Sequence, residues 1–66
     1  MTEGVPRLFN AIKTMLEDMH AVAIEGQRRD NAPDMLRVLV SQLRMAIVAI
    51  DCKIGEIRHL LGDAHG

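Results

Sequence analysis

The sequence predicts an all-α protein: an antiparallel two-helix hairpin that associates into a four-helix bundle or docks on a helical partner. Three observations predict it. Phe9 is the only aromatic residue, and the chain leans on Ala, Leu, Met, Arg and Glu, residues that favour helix, whereas sheets draw on aromatic and β-branched side chains. Apolar residues recur at alternating spacings of three and four through two long stretches, the period of a helix laid along another helix. Between those stretches stands RRDNAPD, whose Pro33 cannot occupy a continuing helix interior without losing a hydrogen bond and clashing with the preceding turn.

Helix 1 is expected over about residues 6–29, with Pro6 in the first turn, where its missing N–H costs nothing. Its apolar rhythm runs Val5, Leu8, Ile12, Met15, Met19, Val22, Gly26. Phe9, Leu16 and Ala23 repeat every seven residues beside that line and widen it. Arg7, Asn10, Lys13, Glu17, Asp18 and Glu25 take the solvated side.

The turn is expected at residues 30–33. Arg28 and Arg29 suit the negative end of helix 1, and Asn31 can cap a second helix whose Asp34 suits the positive end of its dipole. Helix 2 then runs over about residues 32–61, stopped by Gly62. Its seam is Leu36, Leu39, Leu43, Ala46, Ile50, Ile57 and Leu60, flanked every seven residues by Val40, Ile47, Ile54 and Leu61. The expected hairpin core is therefore Leu8, Ile12, Met15, Met19 and Val22 against Leu36, Leu39, Leu43, Ala46, Ile47, Ile50, Ile54 and Ile57. So short a loop between long helices makes them antiparallel neighbours, and residues 1–66 form a single domain.

Helix 2 has apolar residues left over. Met35, Val38, Met45, Val48 and Cys52 fall outside the seam, and Val38, Met45 and Cys52 again repeat every seven. One neighbouring helix cannot cover both ridges, so this second ridge is the expected partner-binding surface. The partner is a second copy, making a homodimeric four-helix bundle, or a different helical protein.

Size argues the same way. A chain of 66 residues is marginal unless something staples it. Cys52 is the only cysteine, which removes disulfides, and His20, His59 and His65 lack the paired spacing of a structural metal site. Association remains. The net charge of −1 gives no electrostatic reason to expect nucleic acid or an anionic membrane. The start MTEGVPRLF has no basic-then-apolar run, and Met45–Ile50, the longest apolar run, is far shorter than the roughly 20 residues that span a bilayer. A cytoplasmic setting is expected.

Chemistry is not expected. A two-helix hairpin offers little interior for a pocket with convergent polar groups, so no enzyme activity, small-molecule substrate, cofactor or metal is anticipated. Cys52 and His59 could share a face, but a small cysteine within an apolar ridge is ordinary. Lys53 falls on the seam, where its stem can lie over the core edge and its ammonium reach Glu17 or Asp18 of helix 1. Arg28, Arg29 and Arg37 gather near the turn without aromatic stacking partners, a poor basis for RNA binding.

Two resemblances accompany these readings. The second half, NAPDMLRVLVSQLRMAIVAIDCKIGEIRHLLGD, resembles the second helix of the small co-chaperones that guard the needle subunit in bacterial type III secretion. The matching positions are Ala32, Pro33, Leu43, Ala46, Ile47, Ala49, Ile50, Ile54, Gly62 and Asp63. That resemblance implies a hairpin that pairs with a helical-repeat chaperone and keeps a polymerising needle subunit soluble. In length and turn position the chain is also similar to the Rop family of plasmid copy-number regulators, which implies a dimeric four-helix bundle that binds paired RNA loops. A homodimeric bundle of purely structural role is the third expectation.

Overall fold

The computed structural model describes residues 3–62; Asp63 and His65 of the readings above lie outside the described residues. The protein is an all-α hairpin of two helices, α1 (Val5–Gly26) and α2 (Pro33–Leu60), packed against each other. Both helices carry proline in the first turn, where a missing N–H leaves no carbonyl unpaired. Asp34 occupies the first turn of α2 and Arg58 the last, each charge matched to its end of the helix dipole. Gly62 follows, its N–H donating to the carbonyl of His59 at 3.0 Å, and its φ of +75°, a left-handed conformation that glycine adopts without steric cost, ends the helix.

α1 stops at Gly26, three residues before the expected end, and the cause is a capping role that Asn31 takes instead of the expected one. Its Nδ2 donates to the Glu25 carbonyl at 2.6 Å and reaches the Arg28 carbonyl at 3.4 Å. The N-cap of α2 is Ala32, with no side-chain cap. Asn31 thus adds a side-chain donor to the last carbonyls of α1, Glu25 O already accepting from the Arg28 N–H at 3.2 Å, and the Arg28 side chain serves the turn by pairing with Glu25 at 3.2 Å and Asp30 at 2.9 Å. Asn31→Ala should lower stability by about 1 kcal/mol, and Asn31→Asp by more, because a carboxylate would face those carbonyls. Thermal melts of the two variants check this; an unchanged melting temperature would assign the turn's geometry to Pro33 alone.

The register follows from the two ends. A Cβ on Gly4 would lie 3.3 Å from Leu60, and one on Gly26 3.9 Å from Leu39. Facing residues therefore have numbers that sum to roughly the same value along the whole hairpin. Along α1 the seam is Leu8, Ala11, Ile12, Met15, Met19 and Val22, all half-buried; along α2 it is Leu39, Leu43, Ala46, Ala49, Ile50, Lys53 and Ile57. Leu36 and Leu60 lie at its ends, just on the exposed side. Among the described residues only Leu39 (8% exposed) and Ile57 (7%) are buried hydrophobics. The Cα trace is a slab of 48 × 20 × 11 Å, one helix thick.

Three core assignments change: Leu36, at the turn end of the seam, is 38% exposed, and two isoleucines leave the seam altogether. Ile47 is 55% exposed and Ile54 is also exposed, so both stand outside the seam. At about 100° per residue they sit some 60–80° around α2 from the line of Leu39 and Ile57, beyond what one neighbouring helix encloses. Lys53 also differs from expectation. Its register places it level with Ala11 and Ile12 rather than with Glu17 or Asp18, and its Nζ lies 3.4 Å from Glu56 of its own helix.

Candidate interaction surface

A helix pair leaves two broad sides, and side chains reach one or the other according to their angular offset from the seam. On α2, Val40, Ile47 and Ile54 lie about 60–100° to one side of the seam. On α1, Phe9, Leu16 and Ala23 lie to the same rotational side of theirs. Because the helices run antiparallel, equal rotational offsets emerge on the same broad side of the slab. The register brings Phe9 level with Ile54, Leu16 with Ile47, and Ala23 with Val40, to within about a residue. All six are exposed, and they form three apolar layers across both helices. Leu61 is exposed beyond the last of them.

The other broad side is mixed. Val38, Met45 and Cys52 follow α2 about 100–140° from the seam in the opposite sense, but α1 contributes Asp18 and Glu25 there. Val48 stands opposite the seam among Arg37, Ser41, Arg44, Asp51 and Gly55. All five residues read from the sequence as the partner surface are exposed: Met35, Val38, Met45 (73%), Val48 (63%) and Cys52. The structure does not gather them into one face, since Met35 flanks the seam near the turn and Val48 sits on the polar strip.

The three-layer side spans both helices, and the sequence reading put Ile47 and Ile54 in the hairpin core and Phe9, Leu16, Ala23 and Val40 beside its seams. Its signal was already present in the seven-residue recurrence on both helices. What periodicity alone lacked was the width of the neighbour: a single helix covers the seam and leaves the flanking ridge wet, whereas a pair of helices would cover both.

Elsewhere the surface offers little chemistry. An open groove of about 650 Å3 runs between Leu8 and the last turns of α2, with Cys52, Glu56 and His59 along its wall. Among the described residues, no group of three or more His, Cys, Asp or Glu could hold a metal ion. Nor is any helix there long and apolar enough to cross a membrane. Compared with protein families, curated proteins and solved structures, the chain has no match.

Proposed function

We propose that this chain is a non-enzymatic protein–protein interaction module, a helical hairpin that completes its core on an apolar surface supplied by another chain. One observation carries the reading. The hairpin exposes 5,415 Å2, whereas a compact monomer of its 7.3 kDa exposes about 4,200 Å2. Among the described residues thirteen large hydrophobic side chains are exposed, Phe9, Leu16, Val40, Ile47 and Ile54 among them, against two that are buried. Single exposed apolar residues are common, but contiguous ones on one face mark association. Covering a large aliphatic side chain contributes about 1.5–3 kcal/mol, so covering several at once would add substantially to a core as small as this one.

The test is the helix content of the isolated chain at limiting dilution. Circular dichroism at nanomolar concentration should show a marginally stable hairpin whose melting midpoint lies at or below the low end of the range of ordinary domains. A dilute monomer that keeps its full helix signal and melts cooperatively above 60 °C, the upper part of the range of ordinary domains at about 45–65 °C, would show that no second surface is needed.

A further inference from the structure

Resting on that reading, we propose that the second surface is another copy of this chain. It packs by two-fold symmetry on the side formed by Phe9, Leu16, Ala23, Val40, Ile47 and Ile54, with the two turns at opposite ends.

Shape favours this arrangement. The face has a bulky layer at one end, Phe9 with Ile54, a small one near the turn, Ala23 with Val40, and Leu16 with Ile47 between them. A two-fold axis through the central layer sets each bulky layer on a small one, which keeps the helices evenly spaced and the packing free of voids. Leu16 and Ile47 then meet their own counterparts.

Charge favours it independently. The rim of the face on α1 carries Lys13 and Glu17, one on each side of Met15. The rim on α2 carries Arg44 and Asp51, one on each side of Ile47 and Val48. The register puts these two midpoints at the same height to within about two residues, or about 3 Å. Reversal about that height sets Lys13 beside the partner's Glu17 and Arg44 beside the partner's Asp51, four opposite-charge pairs in all. Toward the ends the operation brings Arg37 near the partner's Arg58, and Arg37 is already paired with its own Asp34 at 2.8 Å. Rim pairs add little to affinity but select the orientation. An unrelated partner would not require a face whose charges are complementary to themselves.

The area suffices. The slab's broad side measures 48 × 20 Å, room for the roughly 800 Å2 that each partner buries in a stable complex.

Sedimentation equilibrium of the full chain, from micromolar to hundreds of micromolar, should return twice the chain mass of 7.3 kDa. Ile47→Glu, at the centre of the face, should weaken dimerisation by at least about 100-fold, whereas Val38→Glu, on the other broad side, should leave the mass unchanged. Arg44→Asp alone should weaken the dimer, and adding Asp51→Arg should restore it. The two positions are seven residues and about 10 Å apart on one helix, so that rescue must act between chains even if Ile47→Glu fails to fold. A chain that is marginally stable yet monomeric throughout would overturn the second-copy proposal and leave the interaction-module reading standing. A fully stable monomer would overturn both. A dimer lost with Met45→Glu but not with Ile47→Glu would overturn the face, and absence of rescue by the double reversal would overturn the orientation.

Discussion

Ile57→Ala is expected to leave the isolated hairpin mostly unfolded at room temperature. Ile57 and Leu39 are the two buried hydrophobic residues of the described chain, at 7% and 8% exposure, and they anchor opposite ends of the seam. Truncating a buried isoleucine costs about 2–5 kcal/mol through lost transfer energy and the cavity left behind. A chain of this size seldom draws more than about 3–5 kcal/mol from one core, so that cost consumes most of its stability. Ile54→Ala, on the exposed flank, should change the dilute monomer by less than about 0.5 kcal/mol. Urea titrations at low concentration separate the two variants; equal effects would mean that the seam is not where the structure places it.

Leu43→Asp is the second large effect, and it carries a pH signature. Leu43 is half-buried at mid-seam, where a carboxylate would lose hydration and meet only aliphatic neighbours. Burial disfavours the charged form and raises the folded-state pKa above the unfolded value of about 3.9. A group shifted in that direction leaves the fold unpenalised below the unfolded pKa, and the penalty grows as pH rises through the folded pKa. The variant should therefore be unfolded at neutral pH and regain helix below about pH 4. Leu43→Asn, which does not titrate, should show no such recovery. Val48→Asp, on the polar strip, should match the parent protein at both pH values. Circular dichroism against pH for these three variants is the measurement, and a Leu43→Asp chain fully helical at neutral pH would refute the seam assignment.

How much of this was legible in the sequence depended on whether a residue's role was set locally. The helices were legible because each apolar line keeps its period over many turns, and Pro33 and Gly62 act through backbone geometry that no packing can override. The end of α1 was not, because Asn31 suits either side of a turn. Whether it caps the helix before or after depends on which orphan groups the folded turn brings within reach. The partner of Lys53 was missed because a short loop fixes that two helices are antiparallel but not their register within a turn. Ile47 and Ile54 were misplaced for a related reason. Apolar residues repeating every seven drift only about 20° per repeat against the helix, so they follow the seam faithfully without revealing how far around the helix a neighbour extends.

The slab's thinness has a consequence of its own. At 11 Å across its Cα trace, the protein has no depth in which to hide a peptide group; each amide lies within one side-chain layer of bulk water on both broad sides. Deuterium uptake would then be governed by fraying from the helix ends inward, and an opening at one end would meet little resistance before reaching the middle. A covering laid over one side would slow that uptake along both helices at once, turning two independently unravelling rods into a single cooperative unit.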